Sequence, residues 1–478
     1  MKMSGKAFLS SMLASGGDCR IIVPSGQNTN RYGASPHPRA TLGYASSTAN
    51  DISLGAFAHL EAFLADVPAG GLGEHAWYVN ALEQQRRQCL DSWGQDQMTD
   101  MVFAPSGTDL ELVALAITHS HSGQQVTNVL LGQDEVGSGC VMAAAGRFFA
   151  DETVLSPEVE KGSEVDGLGG TQLENISIRD ADGNAKSSAE ITASILEIGR
   201  KCILSGRHLL VHVVHGSKTG LVLPNFADID QILASLGAGV TVVVDACQAR
   251  TEGSTIRAYL DRGAMVMLSG SKFIGGPPFS GMLLVPPNLR PISGLAAGLS
   301  KLLRRAEFPL HWKCANHLPN SANPGLLLRL EAANFELNRY TLLPEHIRSN
   351  IISAFGRAVH ELSARLETNL VQPALASNAL HEATLATLDL SNFNGRTDFM
   401  TSQRWWRVLA ARGLKLGQPV KCRKLDNDEW AGTLRISLSM PLIVELSALS
   451  TDQLRKRLHS DMTRIADVLE AASRPVVA

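Results

Sequence analysis

Short runs of apolar and β-branched residues alternate with amphipathic helical patterns between residue 54 and Pro286. Predicted strands cover residues 101–104, 126–131, 174–179, 208–214, 241–244 and 264–268, and predicted helices cover two stretches within 54–93 and residues 109–119, 188–202 and 226–236. Strands that alternate with helices favour a mostly parallel sheet covered by helices. The pattern therefore predicts an α/β domain.

After Pro286 the alternation becomes looser and long amphipathic helices dominate. Helical patterns cover residues 321–342, 345–369, 402–412 and 451–471, and strand patterns cover residues 383–390 and 433–438. This mixture predicts a smaller α+β domain at the C-terminal end. We therefore divide the chain into an irregular N-terminal arm (residues 1–53), a large domain (54–310) and a small domain (311–478).

Two of the predicted strands in the large domain end on polar residues. The run at residues 241–244 ends at Asp245, and the run at 264–268 leads into the sequence SGSK, which ends at Lys272. Gly275 and the residues that follow it, GPP, then prevent a regular helix. Open α/β sheets bind ligands at the carboxyl ends of their parallel strands. The pattern therefore predicts an active site that contains Asp245 and Lys272.

The chemistry of this pair suits pyridoxal 5′-phosphate (PLP). A lysine amine can hold the cofactor aldehyde as a Schiff base, and a carboxylate can pair with the pyridine nitrogen and keep it protonated. Lys272 and Asp245 offer these two groups. A buried structural ion pair is the alternative explanation, and one motif alone does not exclude it.

The two motifs resemble those of a known family. The sequence DACQ supplies Asp245 and Gln248, and SGSK supplies Ser269 and Lys272. A D-x-x-Q strand end followed by an S-x-x-K lysine is similar to the class V aminotransferase and cysteine desulfurase superfamily of fold type I PLP enzymes. The resemblance implies a large PLP-binding domain with a mostly parallel, seven-stranded type of sheet between helices, and a smaller α+β domain.

Ser106, Gly107 and Thr108 stand where a predicted strand gives way to a helix. The free N–H groups and the positive dipole at such a helix start can hold a phosphate, although a simple helix cap has the same sequence signature. The resemblance implies the phosphate loop, closed by Ser269 and Ser271. Ser271 stands where desulfurases have a histidine, in the pattern S-x-H-K.

A second histidine of the desulfurases is also replaced. They carry a Glu-His pair whose histidine stacks on the cofactor ring, and this chain has Glu135-Val136 near that position. In the loop at residues 215–220 the family has an asparagine that bonds the cofactor or substrate, and Ser217 is the nearest match. We interpret the neighbouring Lys218 as a solvated side chain.

The substrate side of the site rests on two segments. Arg435 lies in the strand sequence LRIS, and an R-x-S strand of the small domain binds the substrate α-carboxylate in fold type I enzymes. The irregular arm carries Asn30, Arg31 and Tyr32, and the resemblance implies that it passes the mouth of the site. A polar arm that only packs against the small domain or a partner subunit is the alternative.

Composition limits the class of protein further. The chain has 478 residues, 44% hydrophobic content and a net charge of −3, and no basic block, so a nucleic-acid partner is not expected. No apolar run approaches a membrane span, and serines break the short N-terminal apolar run. Seven cysteines without C-x-x-C pairs favour reduced thiols, a cytoplasmic location and no metal site.

These observations favour an aminotransferase of the class V type that acts on a small amino acid, because transamination needs Lys272 as proton carrier and neither of the missing histidines. A desulfurase or other C–S or β-lyase is the alternative enzyme, with Cys422 as nucleophile, because Lys421, Arg423 and Lys424 would lower its pKa. A bystander cysteine in a basic loop is the favoured interpretation of Cys422, because both desulfurase histidines are missing. A binding protein that keeps the fold without catalysis is a third possibility. The resemblance implies a homodimer whose site is completed at the subunit interface.

Overall fold

The computed structural model describes residues 5–45, 48–68, 71–133, 135–137, 139–155, 158–371 and 381–474. Its strands, numbered along the chain, are β1 (Leu42–Tyr44), β2 (Asp100–Ala104), β3 (Val126–Leu131), β4 (Gln172–Ile176), β5 (His208–His215), β6 (Val222–Leu223), β7 (Val240–Asp245), β8 (Met265–Ser269), β9 (Gly281–Val285), β10 (Asn369–Leu370), β11 (Leu385–Asp389), β12 (Leu414–Leu416) and β13 (Thr433–Ser437).

The helices of the described residues follow the same numbering. They are α1 (Gly5–Leu13), α2 (Leu54–Ala65), α3 (His75–Ser92), α4 (Gly107–Ser122), α5 (Cys140–Ala144), α6 (Ser188–Leu204), α7 (Phe226–Leu236), α8 (Gly253–Leu260), α9 (Pro324–Thr341), α10 (Glu345–Arg365), α11 (Phe399–Ala411), α12 (Met440–Leu446) and α13 (Thr451–Ser473). Short 3-10 turns fill much of the stretch between β9 and α9.

The central sheet has the strand order β2-β9-β8-β7-β5-β3-β4, with β6 paired to β5. The pairs β8–β7, β7–β5, β5–β3 and β3–β4 are parallel, whereas β9 is antiparallel to both β2 and β8. The strands β2 and β8 therefore run in the same direction, and their C-terminal ends share one edge of the sheet. This mostly parallel α/β architecture confirms the predicted fold class.

Strand β7 shows why the apolar runs form the centre of this sheet. Val242 and Val244 belong to one hydrophobic cluster, and Val243 between them belongs to another. Successive side chains of a strand point to opposite faces, so a strand with helices on both faces is apolar at every position. The sheet is therefore sandwiched, and polar residues concentrate where its strands end.

The small domain contains an antiparallel sheet of order β10-β11-β13. Arg435 of β13 lies opposite Thr387 of β11. The short strand β1 of the N-terminal arm pairs in parallel with β12, and Lys415 of β12 forms a 2.5 Å ion pair with Asp51. The arm is thus attached to the C-terminal part of the chain through β12.

The structure differs from the predicted elements in several places. The predicted strand at 174–179 spans 172–176, and residues 5–13 form α1 although their apolar run is broken by serines. Helix α9 was assigned to the small domain, yet it packs against α2 and α3 as well as α12. The boundary between residues 310 and 311 stays a prediction. None of the described helices has both the length and the apolar character that crossing a membrane requires.

Candidate active site

One edge of the central sheet brings together residues that are far apart in sequence. Gly281 of β9 pairs with Ala104 at the end of β2 and with Ser269 at the end of β8. Asp245 ends β7, which lies next to β8. A Cβ atom at Gly281 would come within 2.9 Å of the Ser106 carbonyl oxygen, so this close approach requires glycine. The register alone therefore places the Ser106, Asp245 and Lys272 segments at the same edge.

Two adjoining cavities open at this edge. The helix-end cavity, of about 170 Å³, lies at the start of α4, and the Arg435 cavity, of about 410 Å³, lies against the small domain. Lys272 and Asp245 line both cavities. The Lys272 Nζ atom has no hydrogen-bond partner among the residues that the structure describes. The two residues predicted to carry the chemistry thus lie at the junction of the cavities.

Hydroxyl groups and backbone N–H groups line the helix-end cavity. Ser106 caps α4, with its Oγ atom accepting a 3.3 Å hydrogen bond from the Asp109 backbone N–H. The N–H groups of Gly107 and Thr108 bond to no described residue, and both residues line the cavity. On the opposite wall the hydroxyls of Ser269 and Ser271 lie 2.9 Å apart. The structure therefore brings together all five predicted phosphate-site residues.

Asp245 lies beside a buried acid and a buried histidine. Its Oδ1 atom accepts a 3.0 Å hydrogen bond from the Cys247 backbone N–H. Burial and the Asp245 charge raise the pKa of Glu111 well above its usual value, and burial lowers the pKa of His212 to about 4. The Glu111 Oε2 and His212 Nδ1 atoms are 3.0 Å apart but are not aligned as a hydrogen bond. Burial thus disfavours the charged forms of both Glu111 and His212 beside Asp245.

Gln248 and Ser217 lie on the wall of the Arg435 cavity. The Gln248 Oε1 atom is buried without a hydrogen-bond partner in the described part of the chain. By contrast, the Ser217 hydroxyl already accepts hydrogen bonds of 3.2 Å from the N–H groups of Thr219 and Leu221. Gln248 is therefore available to a ligand, while Ser217 mainly shapes its own turn.

Arg435 is buried at the end of its cavity. Its Nε atom donates to the Gln418 carbonyl oxygen at 2.8 Å, and Nη1 donates to the Lys218 carbonyl oxygen at 3.1 Å. Its Nη2 atom bonds to no described residue. Burial lowers the pKa of Arg435 to about 10, which leaves the guanidinium charged at neutral pH. The backbone thus fixes a cation whose remaining N–H groups can bind a carboxylate.

The surroundings of Arg435 differ from the predictions in one respect. Lys218 is half-buried in the Arg435 cavity rather than fully solvated, and burial followed by the Arg435 charge lowers its pKa. Glu135 also lines this cavity and is held by Arg179 at 2.7 Å. Val136 lies on the same wall.

The three arm residues predicted to approach the substrate have different positions. Arg31 lines the Arg435 cavity. Tyr32 lines both cavities. The Asn30 Oδ1 atom instead accepts hydrogen bonds from the N–H groups of Tyr32 and Ala34, at 3.0 and 3.2 Å, and Asn30 lines neither cavity. Asn30 therefore shapes the turn that places Tyr32, a role that a side chain with a short carboxamide often takes.

Cys422 does not have the surroundings expected of a nucleophile. It is buried and lines neither cavity, and burial raises the pKa of its thiol to about 11. The flanking cations point to other partners, with Lys424 over the Trp430 ring and Arg423 paired with Asp389. The expectation of a lowered pKa is therefore wrong, because desolvation outweighs the nearby positive charge.

Arg20, which no sequence motif indicates, also lines the helix-end cavity. Its Nη1 atom lies 3.5 Å from the Thr108 hydroxyl, and its Nη2 atom lies 3.4 Å from the Ser106 hydroxyl. Arg20 stands in no periodic pattern, so no signal in the sequence connects it with residues 86 or 88 positions further on.

The sheet topology, the site edge and the C-terminal α+β domain together define fold type I, the fold of many PLP-dependent enzymes. A structure of cysteine desulfurase from Thermococcus onnurineus is similar to this chain at 15% identity, with a TM-score of 0.52. The match covers 90% of this chain and 95% of the desulfurase chain. Ureidoglycine-glyoxylate aminotransferase from Bacillus subtilis matches at 10% identity over 91% of this chain and 98% of its own, with a TM-score of 0.55.

A third structure, described as a NifS-like protein, matches at 12% identity over 89% of this chain and 100% of its own, with a TM-score of 0.55. No protein-family model and no curated protein matches the sequence. At these identities a structural match shows the fold, and the chemistry has to be argued from the site residues.

Proposed function

We propose that this protein is a PLP-dependent enzyme that transforms a small amino acid, and that transamination is its reaction. One observation carries the proposal. Lys272 and Asp245 lie at the junction of two cavities, one lined by hydroxyl and N–H groups and the other ending in a buried arginine. The phosphate ester of PLP would meet the hydroxyl and N–H groups, and its pyridine ring would meet Asp245. The carboxylate of the amino acid substrate would meet the arginine.

The donor set of the helix-end cavity fits the cofactor. The unpaired N–H groups of Gly107 and Thr108 lie at the positive end of α4 and suit a phosphate. A Cβ atom at Gly139 would lie 2.9 Å from the Thr108 side chain, so the glycine leaves space at this wall. Gln248 adds a buried amide oxygen without a partner in the described residues. PLP would thus be held by residues whose polar groups have unfilled hydrogen-bonding capacity among the described residues.

PLP, when bound, withdraws electrons from the bond that is broken at the substrate Cα atom. Asp245 would accept a hydrogen bond from the ring nitrogen and stabilise its protonated form. Lys272 Nζ would hold the cofactor before substrate arrives, and once free it would remove and return the Cα proton. Arg435 would bind the α-carboxylate and so fix which Cα bond faces the lysine.

The alternative functions have less support in the structure. A desulfurase would need a thiolate within reach of the substrate, and Cys422 is buried away from both cavities with its pKa raised to about 11. A binding protein without catalysis would not need Lys272 Nζ unpaired beside Asp245. Transamination uses only groups that line the cavities.

Incubating the PLP-loaded protein with cysteine, alanine, serine, aspartate and glutamate in turn tests the proposed reaction. We expect at least one of these amino acids to yield its keto acid while the visible cofactor band changes. Sulfide released from cysteine alone, and lost in Cys422→Ser, would replace transamination with desulfuration. A stable visible band with no product from any amino acid would favour the non-catalytic alternative.

A further inference from the structure

The helix-end cavity has one positively charged side chain besides Lys272 among the described residues that line it, and this is Arg20. The other polar side chains near the start of α4 are hydroxyls and carboxyl groups, and Ser271 stands where a histidine would be expected from the resemblance. Hydroxyl and backbone N–H groups bind a phosphate dianion without neutralising it. A cation at this point would therefore change the affinity substantially.

The guanidinium of Arg20 is held in place from several sides. Asp18 accepts two hydrogen bonds from it, from Nε at 2.8 Å and from Nη2 at 2.6 Å. The guanidinium carbon lies 4.9 Å from the centre of the Phe149 ring and 5.0 Å from that of Phe279. An arginine fixed between two aromatic rings loses little conformational entropy when it binds a ligand.

The backbone that carries Arg20 is anchored to helix α9. Arg329 of α9 is fully buried and donates to the carbonyl oxygens of Leu13, Ser15 and Gly16 at 3.2, 2.5 and 3.1 Å. Asn323 also donates to the Gly16 carbonyl oxygen, at 3.0 Å. The segment from residue 13 to Arg20 is thus fixed at the site although it lies near the chain terminus.

Two carboxyl groups besides Asp18 approach this end of the cavity. Asp109 lies 2.5 Å from the Ser106 hydroxyl, and burial raises its pKa to about 6. Glu111 lines the cavity, and its pKa is raised well above the usual value, first by burial. A phosphate dianion nearby would raise both pKa values further and so favour the protonated, uncharged forms of these groups.

From this geometry we infer that Arg20 is the cationic ligand of the cofactor phosphate, and that it replaces the histidine missing at Ser271. The inference rests on the proposed function and adds a residue to that site. Arg20 would bridge the phosphate oxygens and the hydroxyls of Ser106 and Thr108, which already lie within 3.5 Å of it. Asp18 would act as a positioning residue that orients the guanidinium.

Titrations of Arg20→Gln and the wild type with PLP, followed by absorbance, test the inference, with pyridoxal as the ligand that lacks the phosphate. We expect the Kd for PLP to rise about 10- to 150-fold, the range for losing a hydrogen bond to a charged group. The Kd for pyridoxal should stay within about twofold, well below one tenfold step in affinity. Inorganic phosphate should compete with PLP in the wild type and only weakly in the variant. Arg39→Gln, in the same arm but outside the helix-end cavity, is the matched control.

The outcomes separate the two proposals. A wild type that binds no PLP would contradict the proposed function itself. A wild type that binds PLP through Lys272, together with an unchanged PLP affinity in Arg20→Gln, would overturn only the role of Arg20. Equal losses for PLP and pyridoxal would also overturn it, because a local structural role would affect both ligands.

A second measurement uses the unmodified sequence and does not depend on how the variant folds. Phenylglyoxal modifies exposed arginines, and the Arg20 side chain is 16% exposed. Peptide mass spectrometry should show that PLP and inorganic phosphate slow the modification of Arg20, whereas pyridoxal does not. Modification at the same rate with and without PLP would contradict the inference.

Discussion

Arg435 combines burial with a guanidinium that is only partly bonded. Backbone carbonyl oxygens hold Nε and Nη1, while Nη2 has no partner among the described residues. We expect Arg435→Gln to raise the amino acid concentration at half-saturation about 10- to 150-fold, because a hydrogen bond to a charged carboxylate is lost. The measurement is a titration of the PLP-loaded variant followed by its visible spectrum.

This experiment has two controls, which are the PLP affinity of Arg435→Gln and a matched arginine variant. Arg435 lies outside the helix-end cavity, so PLP should bind Arg435→Gln as it binds the wild type. Arg404→Gln changes an exposed arginine of the small domain and should leave both titrations unchanged. Half-saturation at the same amino acid concentration in Arg435→Gln would show that another residue binds the carboxylate.

The buried residue His215 gives a pH prediction. Burial lowers its pKa from 6.5 to about 4, and its Nδ1 atom lies 3.0 Å from the Tyr259 hydroxyl. The unfolded chain therefore takes up this proton first as the pH falls from 6.5, and the folded state loses stability until the pH reaches about 4. Over that range the free energy of unfolding of the wild type should fall by up to about 3 kcal/mol more than that of His215→Gln.

Urea unfolding at a series of pH values measures this difference. His459→Gln is the control, because that side chain is 69% exposed. A free-energy difference between the wild type and His215→Gln that stays constant from pH 7 to pH 4 would mean that His215 is protonated as easily in the fold as in the unfolded chain.

At the residue scale the sequence predicted the positions of Asp245 and Lys272 better than the supporting contacts. Asp245 and Lys272 were predictable because each follows a buried apolar run, and strand ends at one edge of a parallel sheet must meet. The bonding of Asn30 is local to its own turn, whereas the burial of Cys422 and the position of Arg20 depend on packing between distant segments. Local sequence contains no information about such desolvation and contacts.

Helix α9 connects the N-terminal segment to the core through Arg329. This guanidinium donates to carbonyl oxygens of Leu13, Ser15, Gly16 and Phe279. We expect Arg329→Met to lower the free energy of unfolding by about 2–4 kcal/mol, because buried carbonyl groups lose their donors. Amide hydrogen exchange should also become faster in residues 13–20.

Arg365→Met provides the comparison at the element scale. Arg365 also lies on a long helix, but it is exposed and pairs with Asp467 and Glu470 on the surface. Such surface pairs contribute about 0–1 kcal/mol to stability, so the free energy of unfolding of this variant should remain close to that of the wild type. If the two substitutions lowered the free energy of unfolding equally, the buried contacts of Arg329 would not anchor the N-terminal segment.

The predicted elements were most accurate where one periodicity extended over a whole element. Helix α7 spans Phe226–Leu236 and β3 spans Val126–Leu131, as predicted from their apolar spacing. Strands β1 and β12 were not predicted, since each has three residues and they pair across most of the chain. Strand β9 follows a Gly-Pro turn and returns antiparallel, which a strand-helix alternation does not indicate.

For the whole molecule we predict a homodimer. The prediction rests on the resemblance, and the structure adds exposed apolar side chains such as Ile292 and Leu310, which are 79% and 51% exposed. Sedimentation or light scattering of the PLP-loaded protein should give a mass near twice the 51.2 kDa of one chain. A single-chain mass in a protein that binds PLP and processes amino acids would contradict the dimer.

The central claim is that Lys272 holds the cofactor at the junction of the two cavities. Borohydride reduction of the PLP-loaded protein, followed by peptide mass spectrometry, tests it most directly. We predict that the added mass lies on Lys272, and that the visible band is lost in Lys272→Ala but kept in Lys201→Ala, which removes an exposed lysine. Added mass on another lysine, or a band that persists in Lys272→Ala, would contradict the account.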